Sequence, residues 1–383
     1  MDIWSSLLVS ASISKTTTSR TLLLLGGSPT AQKSFIQQIV TSAGSGPYSI
    51  KGRPSQIAND FALGYTYLDV FDRDQEDVVL RLNIYTLSSI YDPYARLIVD
   101  LWERDEVTFE SLLVTILLDW EEPRRWVRDL AQHIRFLNKL ALKHLDQDVF
   151  ASGLRKCSQR YRQLSSISFT EALNLPSRSA EIEIPLGKGE YDAPLGVELL
   201  VAVLNSERIE VLERQFGRRD DEFDFIQQFL RTVLLKHGAA IIYLSADSKS
   251  LFPFLFYLLS PSLLSEHSRT ILIEASKNIQ PNVVDRDALL IPSGWDSWSK
   301  ILLIKEGFDV DGVSSGWSTD VLINEGDMEG IIEVYEDVVH AFGGPPAGGT
   351  HREMSHPELE IRTTSDREFL KGQLADLNSI EVS

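Results

Sequence analysis

A chain of 383 residues can bury a sizeable core, as one large domain or two smaller ones, and at 43% hydrophobic and 24% charged it has ordinary soluble globular composition. The formal net charge of −18 argues against nucleic acid as a main partner. A single cysteine, Cys157, excludes an intrachain disulfide and any multi-cysteine zinc site.

Residues 1–19 are Ser/Thr-rich and read as a lead-in. Their apolar run is short and has no basic leader, so no secretory signal is read there. No apolar stretch approaches the roughly 20 residues that span a bilayer, and the expectation is a cytosolic protein without membrane insertion. Residues 20–40, RTLLLLGGSPTAQKSFIQQIV, then give an apolar strand (21–25), a glycine pair and an amphipathic helix (32–43). This is the outline of a phosphate-binding loop, strand–GxxxxGK[ST]–helix. Counted from Gly27, Lys33 and Ser34 fall in register, but Gln32 stands where the motif needs glycine. Gln32 brings a Cβ and a long side chain into the space of a phosphate, and Pro29 removes one backbone donor.

Residues 61–71 and 78–87 read as two strands of a hairpin across a charged turn. Residues 112–118 form a continuous apolar run, suited to a strand buried on both faces. A long helix follows at 122–145, opened by two acids and a proline. Residues 146–195 read as an insertion, with a basic helical piece at 148–163. Buried strands at 199–204 and 239–244 alternate with helices at 221–236 and 249–259. This alternation predicts an α/β fold: a doubly wound, mostly parallel sheet of small-GTPase-like topology with helices on both faces. Beyond it, 270–274, 287–292 and 301–304 read as short extended segments and 327–342 as a helix. The expected organisation is a lead-in (1–19), the GTPase-like domain (20–264), a packed extension (265–342), and a linker with a terminal helix (343–383, helix at 365–377).

The chemistry of a nucleotide switch is degraded at three places. The loop lacks its glycine. After Ile84 the chain reads Tyr85-Thr86-Leu87-Ser88-Ser89, with no DxxG. Where [NT]KxD would select guanine it reads Leu204-Asn205-Ser206-Glu207, so that Asn205 and Glu207 remain without the lysine; Ser245-Ala246-Asp247 stands where SAK would cover the base. No catalytic residue, cofactor or metal ligand set is read. The seven histidines show no HxxxH or HExxH spacing, and Cys157 reads as incidental.

DEFDFIQQFLR (221–231), HGAAIIYLS (237–245) and VVDRDALLIPSGWDSWSKI (283–301) resemble, in order and spacing, the cytoplasmic dynein light intermediate chain family. That family has a similar [FD]-rich helix, a GAAL[IV]Y strand and an IP-[AS]-GWD turn. The resemblance spans most of 20–342, with no clear counterpart for the insertion. It implies a Ras-like domain that binds the dynein heavy-chain tail, and a C-terminal half that links the microtubule motor to cargo adaptors. Many animal members keep the loop glycine and a TKxD-like motif, from which this chain departs at Gln32 and Asn205–Glu207. The adaptor-binding half is not recognisable, and the chain reads as a shortened member. The functional expectation is a non-catalytic motor subunit; the alternative is a guanine-nucleotide switch with an atypical loop. Candidate partner-binding residues are Trp295 and Trp298 in the GWDSW turn, Phe223 and Phe225, which bracket an acid, and Arg124 and Arg128 at i, i+4 spacing. Of the two tryptophans, Trp298 is the one expected to be exposed.

Overall fold

In the computed structural model four consecutive leucines set the centre of the fold. Leu22 and Leu24 of β1 (Ser19–Gly26) point to one side of the sheet, and Leu23 and Leu25 to the other. All four are buried, at roughly 1.5–3 kcal/mol for each side chain removed from water. A strand apolar on both faces needs cover on both faces, which is why the run is continuous rather than alternating. The structure describes residues 19–43, 48–51, 63–72, 78–87, 89–90, 92–103, 112–144, 147–166, 186–259, 279–322 and 330–339. They lie within one unit that ends at Gly343.

The sheet has eight strands in the order β2-β3-β4-β1-β5-β6-β7-β8. The strands are β2 (Tyr48–Lys51), β3 (Leu63–Asp72), β4 (Val78–Leu87), β5 (Leu112–Asp119), β6 (Glu198–Leu204), β7 (Ala240–Leu244) and β8 (Leu290–Ile291). β4, β1, β5, β6 and β7 run parallel, as the apolar runs predict. The β3–β4 hairpin is antiparallel, with Leu63 opposite Leu87. β2 and β8 add antiparallel edges. The result is a mixed sheet in a Ras-like α/β arrangement.

One face is covered by α1 (Pro29–Ser42) and α7 (Leu251–Leu258). The other carries α2 (Asp92–Glu103), α3 (Trp126–His144, after a 3-10 turn at Pro123–Arg125), α5 (Arg208–Phe216) and α6 (Asp220–His237). α4 (Gln147–Ser166) stacks Tyr161 on Tyr191, with ring centroids 4.6 Å apart. α2, α5 and β2 are additional to the elements expected from the sequence.

The greatest departure lies after residue 279. Ile301–Ile304, read as extended, begins inside α8 (Trp298–Leu302). Ser297 caps that helix by accepting from Lys300 N–H, and Ile301 alone of its apolar run is fully buried. α9 (Val310–Leu322) was not read at all, because VDGVSSGWSTDVL is rich in Gly, Ser and β-branched residues. Packing holds it: Val313 and Trp317 enter the core beside α6. The last helix, read as 327–342, is described as α10 (Ile331–Val338), with Asp320 Oδ2 accepting from Ile332 N–H. The segments read as 270–274 and 365–377 lie outside the described residues.

These C-terminal elements, together with residues 191–193, bury the polar side of α6 as well as its apolar side. Arg231, 1% exposed, donates to both carboxylate oxygens of Asp296 at 2.7 and 2.6 Å. Gln228 donates to the carbonyls of Ile301 and Lys305, and Lys236 bonds Asp192 and Ser314. His237 Nδ1–H donates to Ala193 O, while Nε2 accepts from the Trp317 indole N–H. α6 ends at Gly238 in the left-handed region (φ 66°), where a Cβ would lie 2.3 Å from the Tyr191 ring.

Candidate functional site: the crevice at the strand ends

Ligands of open α/β sheets bind beyond the carboxyl ends of the parallel strands, so the site to inspect is where β1, β4, β5, β6 and β7 end. At β1 the chain must turn sharply into α1, and Gly26 (φ 72°) and Gly27 (φ 66°) make that turn. A Cβ at Gly26 would sit 2.9 Å from Leu117 O and 3.3 Å from His133 Nε2. The glycine pair is therefore required by the turn and by close approach to β5 and α3, independently of any phosphate.

The helix begins early. Ser28 is the N-cap, its Oγ accepting from Ala31 N–H at 3.2 Å, and Pro29 takes the first helical position. Gln32 N–H donates to Ser28 O at 2.9 Å, an ordinary helical bond. Only Gly27 and Ser28 separate strand from helix. Residues that would form a wide phosphate cradle are instead the first turn of α1, and the Gln32 amide, which would face an anion in such a cradle, is spent within the helix.

The Gln32 side chain occupies the crevice itself. It is 4% exposed, and its Nε2 donates to Gly26 O at 2.9 Å and to Leu87 O at 3.0 Å. One amide thus satisfies the terminal carbonyls of both β1 and β4. Lys33 and Ser34 point outward and are exposed. Further along α1, Gln38 Nε2 donates to Ser245 O beyond β7 at 3.4 Å. His133 of α3 lies against Gly26, with Nδ1–H on Asp129 O at 2.6 Å; burial lowers its pKa and keeps it neutral.

The base-recognition corner is likewise occupied. Asn205 adopts a left-handed conformation (φ 59°) and its Nδ2 lies 2.9 and 2.8 Å from the two Asp119 oxygens. Asp119 Oδ1 also accepts from Glu121 N–H. Glu207 is exposed and makes no capping bond at the start of α5. Gln38, His133 and the Asp119–Asn205 pairing carried no sequence signal, because each depends on contacts across strands.

The expected partner-binding residues do not gather into one patch. Phe223 is buried against Trp120, with centroids 5.9 Å apart. Phe225 is half-buried, packed on Phe229, Phe308 and Tyr335. Phe223 is a core residue, and Phe225 lies at the edge of the same core. Trp298 is less exposed than its sequence context suggests. It is half-buried, its indole Nε1 is enclosed, its ring lies on Gly189, and Lys188 Nζ sits 5.1 Å from the ring centroid. Trp295 is half-buried too, under the Lys300 ammonium at 4.0 Å. Arg128 forms a bidentate pair with Glu336 at 2.5 and 2.6 Å, tying α3 to α10, whereas Arg124 is exposed. Among the described residues no group of three His, Cys, Asp or Glu is placed to hold a metal, and no helix is long and apolar enough to cross a membrane. Burial pushes the Cys157 thiol up to about 12, and nearby Glu198 adds to that, so it is no nucleophile at neutral pH.

The family model of the dynein light intermediate chain matches residues 1–323. Cytoplasmic dynein 1 light intermediate chain 1 of Homo sapiens is 27% identical over 323 residues, covering 80% of this chain and 56% of the relative. That of Dictyostelium discoideum is 24% identical over 346 residues, covering 78% and 64%. The chain thus spans little more than half the length of its human relative. A crystal structure of the conserved domain of a dynein light intermediate chain superposes with a TM-score of 0.68 at 31% identity, over 85% of this chain and 99% of that one. By sequence along most of its length, and by fold, this chain belongs to the dynein light intermediate chain family.

Proposed function

We propose that this chain is a non-catalytic subunit of cytoplasmic dynein whose Ras-like domain binds the heavy-chain tail and takes no nucleotide. It links the motor to cargo adaptors and works in the cytoplasm on the microtubule-associated motor complex. The observation that carries the nucleotide-free reading is Gln32. Its backbone N–H is spent in the helix, and its side chain bridges Gly26 O and Leu87 O where phosphates would enter. A nucleotide would have to unwind the first turn of α1 and take the Gln32 amide away from two strand-end carbonyls, at about 1–3 kcal/mol in all. The outward Lys33 and the Asn205–Asp119 pairing support the same reading.

The test is direct. The purified chain is denatured and the supernatant resolved by ion exchange, with no guanine nucleotide expected. A stoichiometric guanine nucleotide peak would overturn the nucleotide-free reading. Co-purification with a heavy-chain tail fragment is expected, and failure of the folded chain to associate would remove the motor-subunit reading.

A further inference from the structure

Two of the most exposed large apolar side chains among the described residues stand on loops that the fold holds rigid. Val284 is 85% exposed and Leu303 is 84% exposed. Isolated exposed aliphatics are common and need no explanation. These two differ in how they are displayed. The Val284 loop is closed by Asn282, whose Oδ1 accepts from the N–H groups of Val284 and Asp285. Two residues on, Arg286 reaches Asp220 at 2.7 Å and Asp224 at 3.4 Å. The Leu303 loop is held by Gln228, which bonds the carbonyls of Ile301 and Lys305. Two residues on, Lys305 pairs with Asp221 at 2.9 Å. Both loops are thus fastened to adjacent residues in the first turn of α6. A side chain fixed in water on a braced loop has already lost the conformational freedom that binding would otherwise take from it.

The surroundings specify the partner's charge. Asp285, Asp287 and Glu306 flank the two apolar tips and are exposed, as are Asp220 and Asp221. Arg286 is shared among three carboxylates and Lys305 is held by Asp221, and even with the exposed Arg219 beside Asp220 the acids outnumber the cations. The rim is acidic, and complementarity calls for a basic partner. We propose that Val284, Leu303 and the acidic first turn of α6 form the docking surface for a basic amphipathic segment of the heavy-chain tail. This assignment rests on the motor-subunit reading above and names the face that serves it.

The experiment measures binding of the full chain to a heavy-chain tail fragment by calorimetry. The Val284→Ser/Leu303→Ser double variant is expected to bind at least about tenfold more weakly, as loss of two anchors does at an interface. Its melting temperature is expected to stay unchanged, since neither side chain is buried. Leu142→Ser supplies the control: Leu142 is 76% exposed on α3, outside this face, and its loss is expected to leave binding intact. Raising salt from about 50 to about 300 mM is expected to weaken the unaltered chain, because the rim contacts are screened. A double variant that binds like the unaltered chain would overturn the assignment alone, as would equal weakening by Leu142→Ser or indifference to salt. An unaltered chain that does not bind the tail would overturn both this assignment and the motor-subunit reading.

Discussion

The crevice at the strand ends and the seam between α6 and the C-terminal helices both bury polar side chains, by opposite means. The crevice uses neutral amides on backbone carbonyls: Gln32 on Gly26 and Leu87, Gln38 on Ser245. The seam uses charge, with Arg231 on Asp296 and Lys236 on Asp192, together with a neutral imidazole between two partners. A neutral amide closes a pocket at little desolvation cost and repels no neighbour. A buried ion pair is costly to form and more costly to break, so it fixes one arrangement of two segments. At the crevice the Gln32 amide ties the ends of β1 and β4 together, while the seam locks the C-terminal elements onto α6. That lock in turn holds the braced loops of Val284 and Leu303.

The largest expected effect is at the seam. Asp296→Ala leaves the Arg231 guanidinium buried without its carboxylate and should cost about 3–5 kcal/mol, read as a lower urea midpoint. Replacing both partners, Arg231→Met with Asp296→Leu, should recover much of that loss. A double variant as unstable as the single one would mean that the pair is not the unit that matters.

The seam should also be acid-labile through His237. Burial lowers its pKa to about 4, and its Nε2 accepts the Trp317 N–H, a bond that protonation would abolish. The folded state keeps this group neutral while the unfolded state protonates it near 6.5, so the unfolded state binds more protons between those values. Its contribution is therefore complete above about pH 6.5 and is lost as pH falls toward 4, by about 3 kcal/mol in all. His237→Gln should flatten the dependence of urea stability on pH in that window; an unchanged slope would remove His237 as its source.

At the crevice the expected loss is smaller. Gln32→Ala removes the amide that Gly26 O and Leu87 O share and should cost about 1–3 kcal/mol. Gln32→Gly, which restores the motif residue, should cost about 1 kcal/mol more through helix propensity and should not create nucleotide binding. Lys33→Ala should move stability by less than about 0.5 kcal/mol, since the side chain is exposed and carries no shared role. A large loss there would show that the motif lysine still works.

The central fold was legible because its physics is local. Continuous apolar runs announced β1, β5, β6 and β7, and Gly238 announced the end of α6. Gln32 was legible as a departure, but its partner Leu87 lies 55 residues away and no local pattern names it. The seam was hidden for a related reason. Arg231, Lys236 and His237 lie on what reads as the hydrophilic side of a helix, and only the packing of 191–193 and 279–339 buries them. α9 was missed because tertiary contact overrides its poor helix propensity, whereas Ile301–Ile304 misled because a short apolar run reads alike in strand and helix. The GWD turn, noticed as a shared motif, owes its acid to Arg231. Phe223 and Trp298 are less exposed than their sequence context suggests, because aromatic residues beside charges look like surface anchors until neighbouring elements close over them.

The claim that the crevice is closed to nucleotide is tested most directly by thermal melting of the purified chain with millimolar GTP or GDP and magnesium. A ligand that binds only the folded state raises the midpoint with concentration. The same midpoint is expected at every nucleotide concentration. A saturable, concentration-dependent rise would contradict it, because a bound phosphate requires Gln32 to leave Gly26 and Leu87.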